Sequence, residues 1–208
     1  GGPFFGKKID DLKAITVQQA LNHPNWSMGA KITIDSATMM NKGLELIEAK
    51  WLFDVPVSDI DVVVHRESII HSLVEYKDNS VIAQLGLPDM QIPIQYAITY
   101  PQRYESNVKQ LDLCDIGNLS FYRPDEETFK CLKLCRDAVR KGGTSPAIAN
   151  AANEEAVSLF LNEKIKFLDI GDIIENALKT IKSSKVNNIE DVLNADNETR
   201  NFVRKKFL

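Results

Sequence analysis

Hydrophobic residues alternate with polar ones in short stretches of the first half of the chain and recur at helical spacing in the second half. Residues 31–35 alternate with the period of a strand, and a helix is predicted directly after them. The apolar positions of that helix are Met40, Leu44, Ile47 and Trp51. Further strands are predicted at residues 59–65, 71–76 and 80–85, with residues 77–79 as a hairpin turn. The first half is therefore predicted to contain a small sheet with an antiparallel element.

Prolines, glycines and capping residues set the remaining boundaries. Thr16 is predicted to cap a short helix, and the prolines that follow the hairpin leave room only for a short helix at residues 94–98. Residues 104–124 lack a clear period and are predicted to form a connection. Ser145 as N-cap and Pro146 at the first helical position open one of the later helices. The later helices are predicted at residues 127–141, 145–161, 172–182 and 196–208.

Together these elements predict the α+β fold class. Residues 1–124 are expected to form a domain with a small mixed or antiparallel sheet and helices, which includes a connecting region. Residues 125–208 are expected to form a C-terminal α-helical bundle, because several helices follow one another with short joints.

Composition and charge exclude several classes of protein. The chain has 25 Lys and Arg against 29 Asp and Glu, a net charge of −4, so no basic surface draws the whole molecule to nucleic acid or to an anionic membrane. Apolar runs are far shorter than the roughly 20 residues that cross a bilayer, and we expect a soluble protein. The three cysteines are predicted to be reduced core thiols. The opening residues carry neither an initiator Met nor a signal peptide, so the chain is expected to be part of a longer one.

Residues 35–45, DSATMMNKGLE, are the strongest candidate for a phosphate site. The predicted helix start would offer free backbone N–H groups and the positive end of its dipole, to which Ser36 adds a hydroxyl, Asn41 an amide and Lys42 a full charge. An ordinary solvated helix face explains the same pattern. Glu45 could likewise be a ligand of a hard cation or an ion-pair partner of Lys42, and the sequence leaves both open.

Residues 23–29, HPNWSMG, are predicted to form a loop. His23, Trp26 and Met28 could cover a ligand as a lid, with Gly29 as a hinge. A loop that a buried Trp anchors to the body of the protein is the alternative. His65 and His71 are six residues apart, which is not the spacing of a helical metal site, and structural histidines are the preferred interpretation. Motifs of the form GxGxxG, GxxxxGK[ST] and GxSxG do not occur, so the sequence lacks the signatures of dinucleotide-binding domains, nucleotide triphosphatases and serine hydrolases.

Several segments together resemble the second half of the 1-deoxy-D-xylulose 5-phosphate reductoisomerase family, in register over essentially the whole chain. These segments are GGPF at residues 1–4, HPNWSMG at 23–29, DSATMMNKGLE at 35–45, IIHS at 69–72, QLG at 84–86, PDM at 88–90 and NAANE at 150–154. The resemblance implies reduction and isomerisation of a sugar phosphate to 2-C-methyl-D-erythritol 4-phosphate in non-mevalonate isoprenoid biosynthesis, with NADPH and Mg²⁺ or Mn²⁺. It also implies inhibition by phosphonates such as fosmidomycin, a homodimer, and a location in the bacterial cytoplasm or a plastid-type organelle. No nucleic acid and no membrane are implied as partners.

The resemblance also implies a role for individual residues, with residues 1–124 as the catalytic domain. His23 and Glu45 would be catalytic, and Glu45 would be one carboxylate ligand of the metal. Gly29 and Met28 would contact NADPH. Substrate would be bound by His23, Trp26, Met28, Ser36, Asn41, Lys42, Glu45, Pro88 and Met90. His71 would lie near the site without an assigned role.

The chain departs from the family because the Gly-rich NADPH domain, an acidic triplet and a serine that precede this segment lie outside it. One metal carboxylate remains where the family supplies three, so weak cation binding by this chain alone is expected. A non-enzymatic module that binds phosphate would keep Ser36, Asn41 and Lys42 without a lid or a metal, and it is the alternative function.

Overall fold

The computed structural model describes residues 2–207. It contains two compact units, the first formed by residues 2–62 together with residues 124–207, and the second by Val63–Arg123. This grouping differs from the predicted division at residue 124, because early helices pack against late ones within the first unit. The predicted division of roles between residues 1–124 and 125–208 stays a prediction.

The first unit begins with two short helices and two longer ones, which are α1 (Ile9–Leu12), α2 (Val17–Ala20), α3 (Ala30–Thr38) and α4 (Met40–Phe53). Thr16 caps α2 as predicted, because its side chain accepts a hydrogen bond from the backbone N–H of Gln19. Met39, in the left-handed conformation with φ 63°, separates α3 from α4.

The predicted strand at residues 31–35 is wrong, because these residues belong to α3. Their polar positions are not the exposed ones. Thr33 and Asp35 are buried along with Ile34, and Thr33 Oγ1 donates a hydrogen bond of 2.8 Å to the carbonyl of Gly29. Polar and apolar alternation therefore did not correspond to alternating exposure, which is the property that identifies a strand.

The buried side of α4 also differs from the predicted stripe. Met40, Gly43 and Leu46 are buried, whereas Trp51 is 69% exposed. A Cβ atom on Gly43 would lie 2.6 Å from Sγ of Cys135, so glycine lets α4 come close to the helix that carries Cys135. The partner helix thus selects which side of α4 is buried.

The rest of the first unit is helical, as predicted, with shifted boundaries, and its helices are α7 (Cys131–Lys141), α8 (Ser145–Leu161), α9 (Asp169–Thr180) and α10 (Ile189–Phe207). A 3₁₀ turn at Val57–Asp59 replaces the start of the predicted strand at residues 59–65. Thr144, rather than the predicted Ser145, occupies the N-cap position of α8, and Pro146 lies in its first turn. α8 packs against both α9 and α10, and α7 packs against α4.

The second unit contains the predicted hairpin. β1 (Ile70–Glu75) pairs antiparallel with β2 (Val81–Leu85), and Asn79 in the turn has φ 65°. The helices of this unit are α5 (Gln91–Thr99) and α6 (Leu113–Ile116). Residues 60–65 form no strand, apart from an isolated bridge between Val64 and Tyr122. The α+β class is thus confirmed as a mainly helical structure with a small antiparallel sheet.

The cysteine prediction holds in part. Cys131 and Cys135 are buried free thiols, and burial raises the pKa of the Cys131 thiol to about 12. Cys114 is exposed, so its assignment to the core is wrong. Across residues 2–207, none of the helices combines the length and the apolar character that a membrane span requires.

Candidate functional site

His23, in the loop at residues 23–29, lies beside Ser36 of α3. His23 Nε2 is 3.2 Å from Ser36 Oγ, and His23 Nδ1 accepts hydrogen bonds from the backbone N–H groups of Asn25 and Trp26 at 3.2 and 3.1 Å. Because Nδ1 is an acceptor, the neutral ring carries its proton on Nε2 and donates it to Ser36 Oγ. Burial lowers the pKa of His23 below its usual value of 6.5, which favours this neutral form.

Ser36 lies in the last turn of α3 and not at the start of a helix, which corrects the predicted position of the helix N-terminus. The start that follows is that of α4, where the Met40 N–H donates a bond of 3.4 Å to Thr38 Oγ1. Asn41 and Lys42 lie in the first turn of α4. The backbone N–H groups of a first helical turn lack intrahelical partners and lie at the positive end of the dipole. A helix start is therefore present near the predicted residues, but it begins at Met40, and anion binding there stays a prediction.

Asn41, Lys42 and Glu45 form a cluster on the exposed side of this turn. Asn41 Nδ2 donates a bond of 2.7 Å to Glu45 Oε1, and Lys42 Nζ forms an ion pair with Glu45 Oε2. The side chains of Lys42 and Glu45 are each 46% exposed. Of the two roles left open for Glu45, the structure shows the ion pair. No group of three or more His, Cys, Asp or Glu residues that could hold a metal occurs within the described range 2–207.

Gly2 contacts the backbone of Ser36, a feature that sequence reasoning did not assign. Its φ is +67°, and a Cβ atom at this position would lie 2.8 Å from the carbonyl oxygen of Ser36 and 2.9 Å from Cα of Ala37. Only glycine allows both the conformation and this approach. The glycine pair before Pro3 predicts a turn at this point, but the sequence alone does not reveal the contact with Ser36.

Asp35 lies next to Ser36 and is nearly completely buried, with its side chain 3% exposed. Oδ1 accepts a hydrogen bond of 2.9 Å from Asn153 Nδ2 on α8, and Oδ2 lies 2.6 Å from Lys31 Nζ. Asp35 and Asn153 belong to two separate segments of the sequence, and no motif links them. Their separation of 118 positions leaves no local signal for the contact.

The predicted lid is a loop, as expected. Trp26 and Met28 are partly buried, and Gly29 is exposed at the N-cap position of α3. Gly29 has ordinary backbone angles and a Cβ atom would meet nothing within 4 Å, so the conformation itself does not demand glycine here. Movement of this loop over a ligand stays a prediction.

Pro88 and Met90 lie in the second unit, in the segment between β2 and α5, where Pro88 is partly buried and Met90 is 56% exposed. His71 Nε2 is 3.1 Å from the carbonyl oxygen of Gly86 in the same unit. His65 has a buried side chain, with Nδ1 2.9 Å from the Ser120 carbonyl and Nε2 accepting the Ile69 N–H at 3.1 Å. This agrees with the interpretation of His65 as a structural histidine.

Comparisons with known proteins match both ends of the chain to one family. The family described as "DXP reductoisomerase C-terminal domain" matches residues 85–202, and that described as "1-deoxy-D-xylulose 5-phosphate reductoisomerase C-terminal domain" matches residues 1–53. The reductoisomerase of Acetivibrio thermocellus is 58% identical over 205 residues, which are 99% of this chain and 54% of the relative. That of Caldanaerobacter subterraneus subsp. tengcongensis is 57% identical over 209 residues, 100% of this chain and 55% of the relative.

Solved structures agree. A crystal structure of DOX-P reductoisomerase in complex with NADPH, fosmidomycin and magnesium superposes with a TM-score of 0.92 at 47% identity, over 99% of this chain and 53% of the other. The enzyme from Zymomonas mobilis in complex with NADPH gives 0.89 at 44% identity, over 96% of this chain and 52% of the other. The chain spans about half the length of these relatives. It therefore belongs to the DXP reductoisomerase family, as the C-terminal part of such a protein.

Proposed function

We propose that the protein containing this chain converts 1-deoxy-D-xylulose 5-phosphate into 2-C-methyl-D-erythritol 4-phosphate, in isoprenoid biosynthesis, with NADPH and a divalent cation. The observation that carries the proposal is that two polar groups lie on either side of Met39, the residue between α3 and α4. Ser36, paired with His23, precedes Met39, and the cluster of Asn41, Lys42 and Glu45 follows it. Family membership favours an enzyme over the alternative of a non-enzymatic phosphate-binding module.

The phosphate of the substrate would be bound by donors from both groups. Ser36 supplies a hydroxyl, Asn41 an amide, Lys42 an ammonium group and His23 the N–H of a neutral ring. Because the Lys42–Glu45 ion pair is half exposed, it contributes only about 0–1 kcal/mol and can rearrange at little cost when a phosphate arrives. Lys42 would then exchange its carboxylate partner for the phosphate.

Glu45 would be one metal ligand and would contact substrate oxygens. Its carboxylate has the oxygen chemistry that Mg²⁺ or Mn²⁺ prefers. Residues 2–207 contain no cluster of three or more potential metal ligands. Further ligands would come from the rest of the full-length protein. When bound, NADPH supplies the hydride and the cation supplies Lewis acidity. The part of this chain is to hold and orient the substrate.

The loop at residues 23–29 would cover the bound ligands and exclude water. Trp26 and Met28 would lie over the substrate, and Met28 and Gly29 would contact NADPH. Pro88 and Met90 would line the pocket. Partly buried apolar side chains on an irregular loop suit such a cover, because little packing is lost when it moves.

Three finer assignments belong to the same proposal. The protein would form a homodimer, it would accept Mn²⁺ as well as Mg²⁺, and it would act in the bacterial cytoplasm or in a plastid-type organelle. Solved relatives in complex with magnesium support the assignment of Mg²⁺.

An assay of the full-length protein tests the function. We expect NADPH oxidation that depends on 1-deoxy-D-xylulose 5-phosphate and on Mg²⁺, and loss of this activity in Glu45→Gln. A protein that binds fosmidomycin but does not oxidise NADPH with this substrate would instead support the non-enzymatic module.

A further inference from the structure

Asn153 lies on α8 with its side chain completely buried, far along the chain from the candidate site. Its Nδ2 group donates a hydrogen bond of 2.9 Å to Oδ1 of Asp35 on α3. A buried carboxylate is costly unless it is hydrogen-bonded, so the amide helps to keep Asp35 in the interior. This hydrogen bond links α3 to α8.

The amide of Asn153 is used for this bond alone. Its Oδ1 atom is buried without a hydrogen-bond partner in the part of the chain that the structure describes. The reverse orientation of the amide would put its oxygen against the Asp35 carboxylate, so the partner fixes the orientation shown. Leaving a buried acceptor unpaired destabilises the fold, so the packing of α8 alone does not account for an asparagine here.

The bond to Asp35 bears directly on Ser36. Successive helical residues point about 100° apart around the axis, so Asp35 can face α8 while Ser36 faces His23. Lys31, one turn earlier, pairs with the other oxygen of Asp35 at 2.6 Å. A shift or rotation of α3 would therefore move the Ser36 hydroxyl away from its position beside His23.

We propose that Asn153 is a positioning residue for phosphate binding, acting through Asp35 to hold α3 and thereby the Ser36 hydroxyl in place. The C-terminal helices thus contribute to the affinity of a ligand that Asn153 itself does not touch. The inference rests on the proposed function, in which Ser36 binds the substrate phosphate.

A double-mutant cycle in the full-length protein tests it, with fosmidomycin as the ligand in the presence of NADPH and Mg²⁺ and calorimetry as the measurement. We expect Asn153→Ala to weaken binding by about 3- to 30-fold, the range seen for residues that couple to a site without contacting its ligand. In the Ser36→Ala background the same change should weaken binding by less than about twofold, because the group being positioned is gone.

The chain offers a matched control on the same helix. Ser145 is buried on α8 and its hydroxyl also has no hydrogen-bond partner among residues 2–207, so Ser145→Ala should leave the affinity unchanged. Asn153→Ser, which keeps a small polar group but cannot reach Asp35, is the second variant and carries the same expectation as Asn153→Ala if the latter does not fold.

The outcomes separate the two proposals. An Asn153 variant with a lower melting temperature but unchanged affinity would overturn the positioning role, as would equal losses in the two backgrounds. If Ser36→Ala binds fosmidomycin as tightly as the parent protein, the phosphate role of Ser36 is wrong, and the positioning role falls with it.

Discussion

Lys42 is the residue on which the phosphate assignment depends most, because its ammonium group is the permanent positive charge of the cluster. A charge-assisted hydrogen bond contributes about 1.5–3 kcal/mol, against about 0.5–1.5 kcal/mol for a neutral donor such as Ser36. We therefore expect Lys42→Ala to weaken fosmidomycin binding by about tenfold or more, and Ser36→Ala by less. Calorimetry on the full-length protein measures both affinities.

Lys50 provides the control, since it lies two turns further along α4, with its ammonium 4.1 Å from the Trp51 ring. Lys50→Ala should leave the affinity unchanged. Equal affinities of Lys42→Ala and the parent protein would mean that Lys42 is an ordinary charge on a solvated helix face.

His23 gives a prediction about pH. Burial lowers the pKa of His23 in the folded state below the 6.5 of the unfolded chain, so the unfolded state takes up a proton first as the pH falls. The contribution of the neutral ring to stability is thus complete above about pH 6.5 and is lost as the pH falls below that value. We expect the melting temperature of the parent protein to fall more than that of His23→Gln when the pH is lowered from about 7.5 to about 5.5. Parallel pH profiles of the two proteins would contradict this.

At the scale of elements, the contact between α4 and α7 depends on Gly43. A Cβ atom there would lie 2.6 Å from Sγ and 2.7 Å from Cβ of Cys135, so Gly43→Ala forces two helices apart. We expect a loss of about 1–3 kcal/mol in the free energy of unfolding, which exceeds the gain of up to about 1 kcal/mol in helix propensity. Thermal unfolding of the full-length protein measures the change.

Gly171 on α9 is the matched control for Gly43. Its added Cβ atom would meet Lys130, at 2.9 Å from Cε, and a flexible side chain can move aside. Gly171→Ala should therefore destabilise the protein less than Gly43→Ala. If the two variants unfold at the same temperature, the close approach of α4 and α7 is not what requires glycine.

The loop at residues 23–29 is predicted to contribute more to ligand binding than to the stability of the fold. Trp26 is partly buried on an irregular segment, so Trp26→Ala should reduce turnover and fosmidomycin affinity strongly while it lowers the melting temperature only slightly. Trp51, 69% exposed at the end of α4, is the control, and Trp51→Ala should keep both properties closer to those of the parent. A collapse of the melting temperature in Trp26→Ala would identify this Trp as the anchor of the loop instead.

At the scale of the whole molecule, the chain is expected to be insufficient for the reaction. It carries one candidate metal carboxylate and no GxGxxG motif, and it spans about half the length of its relatives. We expect residues 1–208 alone neither to turn over the substrate nor to bind NADPH tightly, with the full-length protein as the positive control. Micromolar binding of NADPH to the isolated chain in calorimetry would refute this expectation.

The sequence by itself determined the late helices, the hairpin at residues 70–85 and the family. These elements can be predicted from local signals, namely helical spacing, proline and glycine boundaries, and a turn between two apolar runs. Such signals do not depend on contacts between distant segments. Ser36, Asn41 and Lys42 were selected in the same way, because their residue types and close spacing suit an anion.

Only the tertiary structure decided which side of each helix is buried and what holds the candidate site together. Residues 31–35 alternate like a strand, yet they are helical, and Asp35 is buried beside a partner, Asn153, that lies 118 positions away. Trp51 is exposed, whereas α4 approaches its neighbouring helix closely at Gly43, which lies outside the predicted apolar stripe. Burial and pairing depend on contacts between segments that are distant in the chain, and a local pattern contains no information about them.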